Sequence, residues 1–210
     1  FGTRRPSVDS GYFTAFNRPN VELVDVRETP ITGFTESGIR TTERDHPFDI
    51  IIYATGFDAF TGSLLKPSIT GRGGQTLQEK WRAGPVSHLG ISVNGFPNMF
   101  IVVGPGSPSL LSNVLLSTEE QLDWLADLLR HCAANNISEV EATCEAEQEW
   151  VAHVNARAQE TLYLKTPSYY MGAEMPGKPR VFMPYSGGVT GYRRILEKTA
   201  AENYSGFKLT

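Results

Sequence analysis

Two short apolar runs constrain this chain more than any other feature. The first, FDIIIYA from Phe48 to Ala54, sets three isoleucines and a tyrosine in a row, apolar on both faces. The second, MFIVV, covers Met99 to Val103. Continuous β-branched runs of this length, without alternation, suit strands buried on both faces in the middle of a parallel sheet. Each run stops at small residues, the first at Ala54-Thr55-Gly56-Phe57 and the second at Gly104-Pro105-Gly106-Ser107-Pro108. Helical patterns follow, so the predicted class is α/β. In open parallel sheets ligands lie outside the carboxyl ends of the strands, which draws attention to both loops.

Other elements follow from local pattern. VELVDV, Val21–Val26, alternates apolar and acidic residues as a half-buried strand does. ITGF and IRTT flank a turn at Glu36-Ser37-Gly38 and read as a hairpin. Ser117-Thr118-Glu119-Glu120 has the spacing of a capping box, which predicts a helix with Ser117 as N-cap. Its apolar stripe would be Leu122, Leu125, Leu128, Leu129 and Cys132, and Asn135-Asn136 would end it. A second helix is expected from Thr143 to about Thr161 with Trp150, Val151, Val154 and Ala158 inward. A last one is expected near Tyr192–Asn203.

At 210 residues the chain can bury a real core. A net charge of −4 excludes a general basic field for nucleic acid or anionic membrane. No apolar run approaches the roughly 20 residues of a membrane span, and no secretory leader is legible. Cys132 and Cys144 suit reduced thiols of a cytoplasmic protein, and the four scattered histidines lack metal-ligand spacing, so no metal is expected. The opening FGTRRP has no methionine and reads as the C-terminal part of a longer protein, or as an artificial boundary.

Taken singly, the candidate motifs are ambiguous. A strand ending in Ala-Thr-Gly lets a ligand approach the backbone, but serves a tight turn equally well. GPGSPSLLSN is a rigid loop of the type that carries binding groups, or a plain connection. Arg4-Arg5 can grip phosphate and place a permanent charge in a pocket, or lie solvated on the surface. Tyr169-Tyr170-Met171-Gly172 and PGKPRVF read alone as packing.

In this order, FGTRR, FNRPNVELVD, ATGFDA, KWRAGP, GFPNMF, GPGSPSLLSN, EWVAHVN, PGKPRVF and YSGFKLT resemble the Baeyer–Villiger monooxygenases, nearest to the phenylacetone and steroid branch. The likeness covers the whole chain and the C-terminal two-fifths or so of such an enzyme. It implies a two-dinucleotide-binding-domain flavoprotein, with residues 1–57 ending the NADP-binding domain and 58–210 forming the C-terminal part of the FAD-binding domain. ATGF would be the crossing between them. It implies FAD and NADPH as cofactors, and oxidation of a ketone by O2 to an ester or lactone through a C4a-peroxyflavin. It implies partnership with the remaining N-terminal half of the same enzyme, where the FAD- and NADP-binding GxGxxG motifs lie; the 210 residues alone are expected to be inactive.

Residue by residue, the resemblance makes Arg5 the catalytic arginine, which also meets NADP, and Arg4 a contact to the NADP phosphate or ribose. Tyr169 stands where tryptophan often lies against the nicotinamide ribose. Asn113 and Val114 fall beside the flavin, and Ser109, Leu110, Leu111 and Val114 shape an apolar substrate site. Two other readings are a related N-hydroxylating or sulfur-oxidising flavin monooxygenase, and a non-catalytic binding module.

Overall fold

The computed structural model describes residues 3, 8–109, 112–173 and 175–210, which divide into two compact units, Arg5–Gly56 and Phe1–Arg4 with Phe57–Thr210. In the first, helix α1 (Tyr12–Ala15) is a single turn, and the Asp9 carboxylate accepts from the Gly11 and Tyr12 N–H groups at 3.0 and 2.6 Å. Strands β1 (Ile31–Thr35), β2 (Gly38–Thr41) and β3 (Asp45–Pro47) form an antiparallel sheet in that order. The predicted hairpin is present, with Thr35 opposite Gly38 across Glu36-Ser37. Gly38 is already part of β2, paired with Thr35 and Pro47, and the position needs glycine because a Cβ there would sit 1.9 Å from the His46 carbonyl oxygen. Arg40 and Asp45 clamp β2 to β3 through two hydrogen bonds of 2.6 and 3.0 Å.

The other two strands expected in this unit do not form. Val21–Asp25 has no regular structure, and Leu23 and Val26 are exposed. Residues 49–57 are likewise irregular, with Ile50 78%, Ile52 84% and Phe57 90% exposed and Ile51 half-buried. A strand needs a neighbour for its N–H and C=O groups. Among the described residues no segment pairs with either run. The apolar pattern is real; the sheet that would bury it is not supplied by these residues.

In the second unit, helices α2 (Gly62–Leu65) and α3 (Leu77–Lys80) precede the long α4 (Val114–Ala134). A capping box does occur, but at α3, where Thr76 and Glu79 each accept from the other's backbone N–H. Strand β4 (Val140–Ala142), helices α5 (Cys144–Gln159) and α6 (Gly188–Ala201) and strand β5 (Phe207–Leu209) complete it, with β4 and β5 antiparallel. Met99–Val103 is not a strand. Phe100 makes one isolated bridge to Ser92, Ile101 N–H donates to Ile91 at 2.7 Å, and the backbone turns at Val102 and Val103. The run bonds to a local turn rather than to parallel neighbours.

Helix α4 starts at Val114, not after Ser117. Its cap is Asn113, whose side chain accepts from Leu115 N–H at 3.0 Å. Ser117 is buried inside the helix and its hydroxyl donates to Pro108 O at 2.7 Å, so it cannot cap. The buried stripe is Ser117, Gln121, Trp124, Leu125, Leu128 and Cys132, while Leu122 and Leu129 face outward. Trp124, not Leu122, lies on the buried face, and its indole N–H donates to Leu196 O at 3.0 Å. Asn135 ends α4 as expected, and Thr143 caps α5, which buries Trp150, Val154 and Ala158 and leaves Val151 half-buried. These faces close on a core of aromatic rings that includes Tyr170, Phe182, Tyr185, Tyr192, Tyr204 and Phe207.

Candidate functional site

The loop after Val103 is unusual in being buried from Gly104 through Ser109. Buried backbone must find partners, and here two prolines reduce the number of donors to satisfy. Gly104 N–H reaches Gly90 O at 3.1 Å, Gly106 N–H reaches Met183 O at 2.5 Å, and Ser107 N–H reaches Gly104 O at 3.0 Å. Ser107 O accepts from Tyr185 N–H at 2.8 Å, while Pro105 O accepts from the Ser87 hydroxyl at 2.5 Å. Gly106 has φ +90, and a Cβ there would lie 2.8 Å from the Trp150 indole nitrogen. No other residue type fits that position without moving the core.

Pro108 ties this loop to the start of α4, since its carbonyl accepts from both Ser117 and Ser112 hydroxyls, at 2.7 and 3.4 Å. Ser109, Asn113 and Val114 are thereby gathered at one end of the helix. Ser109 is buried, Asn113 is exposed, and Val114 is 40% exposed and followed by exposed Leu115 and Leu116. The first turn of α4 holds no acidic residue, so that turn brings no carboxylate of its own to the positive end of the helix dipole. Leu110 and Leu111 lie outside the described residues.

Tyr169 opens a short 3-10 turn, Tyr169–Met171, half-buried with its ring 4.1 Å from that of Tyr170. Ser168, its neighbour, donates its hydroxyl to Thr3 O at 3.0 Å. The TRR motif and the SYYMG motif therefore meet, 165 residues apart in sequence. Arg4 and Arg5 themselves lie outside the described residues. Lys178 of PGKPRVF forms an ion pair with Asp58 of ATGFDA and donates to Ala59 O at 3.1 Å. Phe60, at φ +65, packs its ring 6.1 Å from Tyr170. Gly56, with φ +93, is exposed at the boundary of the two units.

Two histidines stand beside this core, His88 buried and His153 exposed against Trp150 and Tyr185. His88 Nδ1 lies 3.1 Å from Ala146 O, and burial pushes its pKa down to about 4. His153 Nε2 lies 3.3 Å from the Tyr185 hydroxyl, and burial lowers the imidazole while raising the phenol. The His88 imidazole is thus held neutral near pH 7. Among the described residues no group of three or more His, Cys, Asp or Glu could hold a metal, and no helix is long and apolar enough to cross a membrane.

The polar residue that the sequence reading missed is Gln121, fully buried behind the loop, with Ser107 and Tyr192 as partners. Its one legible signal is phase: Gln121 falls four residues from both Ser117 and Leu125 on the buried face.

No family model matches the chain. It is 39% identical over 207 residues to a cyclohexanone 1,2-monooxygenase of Acinetobacter sp, covering 98% of the chain and 38% of that protein. A Baeyer–Villiger monooxygenase of Pseudooceanicola batsensis is 38% identical over 96% of the chain and 37% of its own length. A phenazine N-monooxygenase of Lysobacter antibioticus is also 38% identical, over 98% of the chain and 38% of its own length. Among solved structures, closed cyclohexanone monooxygenase superposes with TM-score 0.95 at 38% identity, over 99% of the chain and 39% of that one. Oxidized steroid monooxygenase bound to NADP gives 0.88 at 47% identity, over 99% and 38%. OTEMO in complex with FAD and NADP gives 0.94 at 36% identity, over 100% and 38%. The chain spans about two-fifths of the length of the relatives it matches.

Proposed function

We propose, from the premise that this chain is a homologous segment of the Baeyer–Villiger monooxygenase family, that it forms part of an FAD- and NADPH-dependent enzyme oxidising ketones to esters or lactones. The observation that carries this reading is the co-location, in one compact unit, of motifs scattered along the chain: Thr3 with Ser168, Asp58 with Lys178, and the buried Gly104–Ser109 loop with the start of α4. A rigid loop beside a helix N-terminus suits a bound dinucleotide. We assign residues 1–57 to the end of an NADP-binding domain and 58–210 to part of an FAD-binding domain, with the remaining N-terminal portion of the enzyme as partner and the cytoplasm as location.

FAD reduced by NADPH supplies the activation of O2; the residues of this chain position and polarise. Arg5 places a permanent positive charge where negative charge develops on the ketone oxygen, the kind of preorganised electrostatics that dominates many active sites. Arginine suits this because its guanidinium stays charged under partial burial and can hold two oxygens at once. Arg4 and Tyr169 would hold NADP, Asn113 and Val114 would hold the flavin, and Ser109, Leu110, Leu111 and Val114 would line an apolar ketone site.

The test is expression with the natural upstream sequence, followed by flavin absorbance and ketone-dependent NADPH oxidation. Arg5→Ala should leave flavin reduction by NADPH intact and abolish ester formation; ester formation at a near-normal rate would remove Arg5 from its role. A colourless product inert toward phenylacetone and cyclic ketones would sink the reading as a whole. The phenazine N-monooxygenase relative, as similar as a cyclopentanone 1,2-monooxygenase at 38% identity, supports a second reading, oxidation at a heteroaromatic nitrogen. N-oxide formation without ester formation would favour it.

A further inference from the structure

Val103 is a β-branched residue at φ +55, a left-handed conformation that costs a side chain of this type on the order of 1–2 kcal/mol. Strain of this kind persists only where the surroundings over-determine it. The backbone on either side is held by Ile101 N–H on Ile91 O and Gly104 N–H on Gly90 O, and Val103 itself is held by one side chain. Gln121 Oε1 accepts from Val103 N–H at 2.6 Å, and its Nε2 donates to the Ser107 hydroxyl at 2.9 Å and to the Tyr192 hydroxyl at 2.6 Å. Tyr192 donates in turn to Leu89 O at 2.6 Å, and Ser107 to Gly90 O at 3.2 Å.

The direction of every bond is forced. Val103 N–H can only donate, and the carbonyls of Leu89 and Gly90 can only accept. Both hydroxyls must therefore point their protons at the carbonyls and receive from the amide of Gln121. A side-chain amide supplies an acceptor and two donors at one position, and glutamine carries it one methylene further from the backbone than asparagine. Gln121, Ser107 and Tyr192 are all buried, with Gln121 and Tyr192 at 0% exposure. A leucine in phase with Leu125 would fill this face without desolvating an amide. A fully satisfied buried network of this kind specifies a geometry more than it adds stability.

The geometry it specifies is the strained turn that launches the Gly104–Ser109 loop. We propose that Gln121 is a positioning residue for the substrate: it locks Val103 in its left-handed turn and Ser107 in place, so that the loop presents Ser109 to the ketone at one fixed depth. This rests on the proposed function, whose substrate site it deepens. Gln121 meets neither substrate nor cofactor in this assignment; it acts through the loop.

The experiment has two arms on the enzyme expressed with its upstream sequence. In the first, hydrogen exchange of the peptide covering residues 101–108 is compared between wild type, Gln121→Leu and Gln121→Glu. Exchange at least ten-fold faster in the leucine variant, with the glutamate variant recovering protection at Val103 because it keeps an acceptor, is expected. Equal exchange in all three overturns the clamp. In the second, Gln121→Leu is expected to keep its flavin and its ketone-free NADPH oxidation within two-fold, while the KM for phenylacetone rises at least ten-fold and NADPH use uncouples from ester formation. An unchanged KM and coupling in an active enzyme overturns the positioning role alone. A wild type that oxidises no ketone overturns this proposal together with the proposed function. If the leucine variant is insoluble, Tyr192→Phe, which removes a single acceptor for Gln121, is judged on the same two readouts with at least a three-fold change expected; no change overturns the proposal.

Discussion

Stability below neutral pH should be governed in part by His88. Its ring is buried against Phe207 at 4.9 Å and its Nδ1 donates to Ala146 O. Burial moves its pKa from the ordinary 6.5 to about 4. The folded value lies below the unfolded one, so the unfolded chain binds the extra proton first. The contribution is fully present above pH 6.5, is lost as pH falls toward 4, and changes no further below that. The shift corresponds to about 3 kcal/mol, or a slope near 1.4 kcal/mol per pH unit within the window. Carboxylates also titrate there, so the measurement is a comparison. His88→Asn keeps an N–H donor for Ala146 O and cannot titrate. Urea unfolding followed by tryptophan fluorescence reports on the right unit, since Trp81, Trp124 and Trp150 all lie within Phe57–Thr210. Wild type should lose about 2–3 kcal/mol more than His88→Asn between pH 7 and pH 4.5. Parallel losses in the two proteins would refute a buried, neutral His88.

Gly90→Ala should destabilise by at least about 2 kcal/mol in the same assay, because Gly90 has φ +70 and a Cβ would lie 2.1 Å from the Ser107 hydroxyl. Asn113→Ala should cost about 1 kcal/mol of urea stability as the loss of a helix cap, with Asn113→Asp restoring most of it. A thiol reagent should modify one cysteine quickly in the native protein and two in urea, since Cys144 is exposed while Cys132 is buried and its thiol pKa is raised by burial.

Elements held by nearest neighbours were legible in advance. The hairpin at Glu36-Ser37, the cap at Thr143, the end of α4 at Asn135 and the inward face of α5 all follow from residues within a few positions of one another. Elements that need distant partners were not. Ile50 and Ile52 belong to a run with the composition of a buried strand and are exposed, since composition records the wish for a sheet but not its delivery. The apparent capping box at Ser117 misled for a related reason. Pro108, nine residues earlier, claims that hydroxyl, and the free cap passes to Asn113.

The candidate site divides the same way. The sequence by itself determined which motifs the chain carries and how they resemble a flavin monooxygenase, because motif chemistry is written in residue type and order. Only the tertiary structure decided that Thr3 meets Ser168, that Lys178 holds Asp58, and that the glycine-proline loop is buried. Gln121 is the clearest case. In sequence it is a polar residue in a helix; its meaning comes from Val103, Ser107 and Tyr192, brought around it from 18, 14 and 71 positions away. Hydrogen bonds are short-ranged and directional, so a network of this kind exists only once the chain has closed around it.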